Sequence, residues 1–284
     1  MRKKTTIITA ALIALLTLGS CGQPVATTTA AATTEAPAAT TTTSATTEAT
    51  TTTPALEPER AEDGSMYVDL SNGLPECFEI SNGWTNGDPF NVTWYTNNVQ
   101  FNDGKMQLII DNDATPKKGI PYSGGEFRSK DFYSYGRYEV SMKAIRNDGV
   151  VSSFFTYTGP SDNNPWDEID VEVLGKDTTQ VQFNYYLDSK GGHEYMHDLG
   201  FDASEDFHTY AFEWHKNSII WFVDGVEVYK VEKEDASKIP STAGKIMMNA
   251  WCGKGVDGWL KAFDDTNVPL TAEYEWVRYT PFDE

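Results

Sequence analysis

Acidic side chains recur at every second position in Trp166-Asp167-Glu168-Ile169-Asp170-Val171-Glu172-Val173-Leu174-Gly175. At the period of a β-strand, Trp166, Glu168, Asp170 and Glu172 share one face, and Ile169, Val171 and Val173 share the other. A β-branched face of this kind packs on a core. The acidic face has two readings. Half-buried antiparallel strands often carry a polar face that is merely solvated. Three crowded carboxylates, however, raise the proton affinity of at least one member, because like charges a few Å apart cannot all ionise freely. One ionised and one protonated carboxyl near neutral pH is the pair that glycosidic-bond hydrolysis requires.

Spacing constrains that chemistry. Cα atoms at i and i+4 of a strand lie roughly 13 Å apart, whereas a retaining pair needs carboxyl groups about 5–5.5 Å apart and an inverting pair about 6.5–9.5 Å. Two Glu side chains leaning together on a concave face close much of the gap. Asp170 between them is then placed to hydrogen-bond one partner and tune its proton affinity.

The elements that must hold this strand are β-rich. Tyr138, Val140 and Met142 alternate with Glu139, Ser141 and Lys143, and Tyr210, Phe212 and Trp214 alternate with Ala211 and Glu213. Ile219 to Val223 and Val226 to Val231 flank Asp224-Gly225, a two-residue hairpin signal. No long 3.6-period stretch competes, so the chain reads as all-β, a two-sheet sandwich. Residues 63-284 show no composition break and no repeat, as expected of one large domain.

Ahead of that domain, Arg2-Lys3-Lys4 precedes the apolar run Ile7 to Leu18 and then Leu18-Gly19-Ser20-Cys21. The run is shorter than the ~20 residues that span a bilayer. It reads as a signal peptide over 1-20. Its end resembles the lipobox of bacterial lipoproteins, with Cys21 as the lipidated residue and the lipid as the only membrane anchor. An exported protein tethered at a bacterial cell surface is therefore expected. Residues 21-62 are dominated by Thr and Ala with scattered Pro, a composition that cannot offset its conformational entropy, so this stretch reads as a disordered stalk.

A net charge of −20 leaves no basic patch for nucleic acid or an anionic surface. It suits a neutral ligand. Aromatic residues make up 13% of the chain, and those beside Gly-rich or polar segments, such as Trp84, Trp251 and Trp259, are candidates for stacking on sugar rings. Cys77 and Cys252 remain once Cys21 is assigned, and allow either one disulfide or two free thiols. His193-Glu194-Tyr195-Met196-His197 matches the H-E-x-x-H zinc pattern, which requires a helix. Gly191-Gly192 and the strand-like 181-186 segment oppose a helix there. Gly253-Lys254-Gly255 lacks phosphate-loop spacing and reads as a turn.

Glu168-Ile169-Asp170-Val171-Glu172 resembles the catalytic signature of glycoside hydrolase family 16, and the surrounding sequence is similar to its bacterial lichenases, endo-β-1,3-1,4-glucanases. The likeness runs from about Trp84 to Tyr279, and is especially close over Gly136 to Lys143, Val151 to Pro160, Gln182 to Tyr186 and Gly244 to Asn249. The resemblance implies a β-jelly-roll with a concave substrate cleft, a monomer, and a retaining double displacement on a β-glucan polysaccharide that requires no cofactor. It implies Glu168 as nucleophile, Glu172 as acid/base and Asp170 as the residue that tunes them. It further implies substrate contacts at Trp84 (where lichenases usually carry Tyr), Asn86, Glu126, Arg128, Phe155, Tyr157, Trp166, Asn184, Tyr186, Trp251 and Trp259.

The same resemblance bears on specificity. The family's laminarinases typically carry one extra residue before the second Glu, giving a bulge in the strand. Here Val171 alone separates Asp170 from Glu172, as in lichenases and plant xyloglucan transglycosylases, so mixed-linkage glucan is the expected substrate. A laminarinase, a xyloglucan-active enzyme and a non-catalytic carbohydrate-binding module are the alternatives. Two departures stand out. The positions of a disulfide found in many lichenases are Val92 and Gly124 here, and the Asp ligand of the family's structural calcium is replaced by Glu275, whose longer carboxylate is the candidate calcium ligand.

Overall fold

The computed structural model describes residues 59–117 and 119–283. The signal segment at 1-20, the lipidation site Cys21 and the stalk up to residue 58 lie outside the described residues. Strands dominate: β1 (Glu59–Arg60), β2 (Met66–Asp69), β3 (Phe78–Ile80), β4 (Val92–Trp94), β5 (Val99–Asn102), β6 (Lys105–Lys117), β7 (Ile120–Ser129), β8 (Gly136–Lys143) and β9 (Val150–Thr158) come first. They are followed by β10 (Asp167–Leu174), β11 (Gln180–Tyr186), β12 (Tyr195–Asp198), β13 (His208–Trp214), β14 (Ser218–Val223), β15 (Val226–Glu232), β16 (Lys245–Cys252) and β17 (Leu270–Pro281). A single short α-helix, α1 (Asp257–Leu260), is found among the described residues.

Two layers face each other. The cleft-bearing sheet runs β3-β7-β16-β9-β10-β11-β12. The backing sheet runs β2-β17-β8-β13-β14-β15, with β6 and β5 continuing from the first half of β17. Pairing between β6 and β7 joins the two layers. Neighbours are antiparallel except β4 and β7, which pair in parallel. That parallel pair brings Val92 beside Gly124, where a Cβ on the glycine would meet the Val92 side chain at 3.0 Å. The positions of the missing disulfide are thus neighbours held by packing.

Strand β10 sits centrally, and its two faces part as the alternation predicts. Ile169, Val171 and Val173 are fully buried, each such side chain contributing about 1.5–3 kcal/mol by leaving water. Across the interface, Phe183 of β11 stacks on Trp221 of β14, and Phe154 of β9 lies against Phe212 of β13. Two hydrogen bonds cross the core to the backbone of the cleft sheet: the Trp221 indole donates to the Asp170 carbonyl, and the Tyr274 hydroxyl to the Ser153 carbonyl. The polar ends of these rings are thereby satisfied while their bodies fill the interior.

The hairpin signal forms as expected. Asp224 and Gly225 both take positive φ, 48° and 77°, between β14 and β15, the conformation of a type I′ turn. The H-E-x-x-H segment lies in the β11–β12 loop and on β12, so its two histidines do not share a helical face. His193 bonds the Tyr185 carbonyl and stacks on its ring, and His197 lies over Phe183. Cys77 and Cys252 are both buried and not joined in a disulfide, which resolves that alternative in favour of thiols.

Candidate active site

Strand β10 is regular. Its register to β9 is unbroken from Asp167 opposite Thr158 to Leu174 opposite Val151, and its register to β11 from Glu168 opposite Tyr186 to Glu172 opposite Gln182. No extra residue intrudes between Asp170 and Glu172. Regular pleating therefore aims Glu168, Asp170 and Glu172 out of one face. All three line a cleft of about 610 Å³.

Neutral donors and the acids themselves supply the hydrogen bonds of this row. The Trp166 indole donates to Glu168 Oε2 at 2.5 Å, the Gln182 amide donates to Glu172 Oε2 at 2.6 Å, and Asp170 shares a proton-bearing hydrogen bond with Glu168. Burial pushes Glu168 up to about 7, with the hydrogen bonds from Asp170 and Trp166 pulling the other way. Burial, followed by the charge of Glu168, pushes Glu172 up to about 8; Gln182 opposes this and Glu194 adds to it. Asp170 is raised well above the carboxylate range by burial and then by its two acidic neighbours. Crowding in a poorly solvated cleft thus leaves protons on this row at neutral pH.

Aromatic walls flank the acids. Trp166 stacks on Tyr186 at 4.9 Å and meets Tyr157 edge-on at 6.2 Å. Towards one end, Phe90 lies 4.1 Å from Trp251, which lies 6.0 Å from Trp259. Elsewhere Arg128 sits over the Trp84 ring at 5.7 Å and within 2.9 Å of Glu79. Asn86 is held by the Trp94 indole, which donates to its Oδ1 at 2.6 Å.

Of the residues singled out in the sequence, Trp84, Asn86, Glu126, Arg128, Phe155, Tyr157, Trp166 and Trp251 line the cleft with the three acids. Asn184, Tyr186 and Trp259 lie beside that lining rather than in it. Asn184 lies opposite Asp170 and accepts the His193 backbone N–H, Tyr186 backs Trp166, and the Trp259 indole donates to Gln182. Glu126 is fully buried in the floor, where Ser81 and Asn249 donate to its two oxygens and burial raises its proton affinity. Glu275 lies away from the cleft lining, on β17, with Oε2 accepting the Ser141 hydroxyl at 2.6 Å. Among the described residues no three His, Cys, Asp or Glu side chains converge as metal ligands. A calcium ion at Glu275 would therefore draw on backbone and hydroxyl oxygens for the rest of its shell.

Three residues of the site escape a reading of the sequence. Gln182 and Asn249 reach it from β11 and β16, and nothing local marks them. Asp167 had a signal: it is a carboxylate on the apolar face of β10. It is buried there and accepts backbone N–H groups from Asp188, Ser241 and Thr242, which fastens two loops beside the cleft.

The family model "Glycosyl hydrolases family 16" matches residues 86–278. A "Xylanase/beta-glucanase" of Ruminococcus flavefaciens is 58% identical over 219 residues, covering 76% of this chain and 27% of its own length. A "Beta-glucanase" of Acetivibrio thermocellus is 58% identical over 198 residues, covering 70% of this chain and 57% of its own. The chain thus spans about a quarter to just over half the length of these relatives. A crystal structure of a β-1,3-1,4-glucanase (lichenase) from a mouse hindgut metagenome superposes with a TM-score of 0.73 at 50% identity, covering 77% of this chain and 99% of that one.

Proposed function

The chain belongs to glycosyl hydrolases family 16, and we propose that it cleaves internal linkages of mixed-linkage β-1,3-1,4-glucan by a retaining double displacement. The observation that carries this reading is the regular β10 row of Glu168, Asp170 and Glu172, proton-rich and set in an aromatic-walled cleft. The "Beta-glucanase" and lichenase relatives support the substrate class.

In this mechanism ionised Glu168 attacks the anomeric carbon while protonated Glu172 gives its proton to the departing glycosidic oxygen. The leaving chain departs as an alcohol and the sugar stays as an ester on Glu168. Glu172, now a carboxylate, takes a proton from water, which attacks the ester and regenerates Glu168. Burial raises the proton affinity of both Glu residues, so the row can hold the proton that the acid must give. Asp170 donates its hydrogen bond to Glu168 and so lowers its basicity against the effect of burial. Trp84, Tyr157, Trp166 and Trp251 offer the flat faces on which sugar rings stack.

The wider reading has the enzyme exported behind a 1-20 signal, lipidated at Cys21, carried on the 21-62 stalk, and acting as a monomeric 63-284 domain outside the cell. Incorporation of labelled palmitate, lost in Cys21→Ala, tests the anchor. The test of activity is product analysis on barley β-glucan, laminarin, carboxymethylcellulose and xyloglucan, with Glu168→Gln as blank. Short oligosaccharides from barley β-glucan alone are expected. Faster release from laminarin or xyloglucan would overturn the substrate, and binding without cleavage would overturn the enzyme.

A further inference from the structure

Gln182 stands between the proposed acid and an aromatic residue of the site. Its Oε1 accepts the Trp259 indole N–H at 3.0 Å, and its Nε2 donates to Glu172 Oε2 at 2.6 Å. It is 4% exposed, directly opposite Glu172 in the β10–β11 register. Trp259 is itself held by α1, with its carbonyl accepting from Lys176 and its N–H bonded to Val256.

The chemistry of the indole decides which way the amide faces. An indole N–H is a donor only, so the amide oxygen must point to Trp259 and the NH₂ to Glu172. An NH₂ group can donate but not accept. A proton on Glu172 Oε2 would then oppose the amide hydrogens, so in the protonated acid the proton resides on Oε1. We propose that Gln182 is a positioning residue, oriented by the Trp259 indole, that confines the acid proton of Glu172 to Oε1, leaving that oxygen to serve the glycosidic bond. The inference rests on Glu172 being the acid/base.

Without the indole N–H, the amide is free to turn over, present its oxygen to Glu172 and hold the proton on Oε2. Both that flip and outright loss of the amide favour the protonated acid, so the descending limb of the pH profile moves to higher pH even as the rate falls. Other charged groups bearing on Glu172 are Glu168 and Asp170 of its own strand and Glu194 of the loop before β12. From β9 the residue opposite is Ser153, and from α1 the contact arrives through Gln182 alone. None of these is altered by the substitutions below.

The test compares barley β-glucan, whose leaving group needs a proton, with a 2,4-dinitrophenyl β-glycoside of a short gluco-oligosaccharide, whose leaving group does not. In Gln182→Leu and in Trp259→Phe, kcat/KM on the glucan relative to the aryl glycoside is expected to fall about tenfold, the scale of one hydrogen bond. The descending limb should shift upward in both. The double variant should be no worse than Gln182→Leu alone, because Trp259 acts through Gln182. Equal losses on both substrates, an unmoved limb, or losses that multiply in the double variant would overturn the proposal and leave Trp259 as a stacking surface only. Should Gln182→Leu not fold, Gln182→Met carries the same comparison. Glu172→Gln serves as a separate control: if it still cleaves glucan at full rate, the acid/base assignment falls, whatever Gln182 does.

Discussion

On the backing sheet, Glu139 and Glu213 both lie within 3.0 Å of Arg137, and Glu139 also approaches Arg278 at 3.7 Å. Glu273 sits between Lys105 and Lys143. On the cleft sheet, Glu168, Asp170 and Glu172 bond the neutral N–H groups of Trp166 and Gln182 and one another. The cleft sheet gathers its carboxylates along one strand, whereas the backing sheet spreads its own over β8, β13 and β17. What separates a charge-balanced ladder from a reactive row is whether each acid finds a cation or only neutral groups and other acids around it. An acid facing guanidinium gains from ionising, whereas an acid facing another acid in a dry cleft gains from keeping its proton.

The comparison breaks most visibly in activity. Glu168→Gln is expected to lower kcat on barley β-glucan by at least about 10⁴-fold, as loss of a nucleophile does, with an unchanged circular dichroism spectrum. Glu172→Gln should cost about 10²–10⁴-fold on the same substrate, the range for losing a general acid. Glu139→Gln and Glu213→Gln, equally conservative, should leave the rate within twofold of wild type, roughly.

Stability should run the other way. Unfolded, the cleft carboxyls ionise near the ordinary value of about 4.3; folded, Glu168 and Glu172 hold their protons to about 7 and about 8. Between those values the folded state binds more protons than the unfolded one, so stability falls as pH rises from about 4.3 through the raised values. Glu168→Gln should therefore raise Tm at pH 8 and change it little at pH 4. Glu139→Gln should lower stability slightly or not at all, by about 0–1 kcal/mol. A Glu168→Gln enzyme that melts lower than wild type at pH 8 would contradict the difference drawn between the two sheets.

The pH dependence of kcat/KM sharpens it further. The active state needs Glu168 ionised and Glu172 protonated, so both limbs should lie above the ordinary carboxylate range, the ascending limb reporting Glu168 and the descending limb Glu172. An optimum near neutrality is expected, because burial raises both Glu residues. The smallest effect concerns Glu275. If a calcium ion binds there, added calcium should raise Tm in wild type but not in Glu275→Ala, and chelation should leave the initial rate at 25 °C unchanged.

Much of the site was legible because it is local. Glu168, Asp170 and Glu172 fall within one strand with Trp166 just ahead of it, and the period of two alone puts them on one face. The Asp224-Gly225 hairpin was legible for the same reason. Gln182 was not, because its meaning depends on being paired with Glu172 across β11 and on meeting Trp259, which lies 77 residues away in sequence. The buried chain from Ser81 through Glu126 and Asn249 to Ser153 likewise joins segments from β7, β9 and β16 that no local pattern connects. Arg137 and Arg278, which quiet the backing sheet, are invisible in the same way: alternation tells which face a residue takes, and only strand order tells what it faces.

The most direct measurement of the proposed chemistry is the anomeric configuration of the first products from barley β-glucan, followed by proton NMR before mutarotation sets in. Glu168 acting as nucleophile and Glu172 as acid/base predicts β-configured reducing ends first, relaxing later to the α/β mixture. α-Configured ends appearing first would mean direct attack by water and would contradict a covalent intermediate on Glu168.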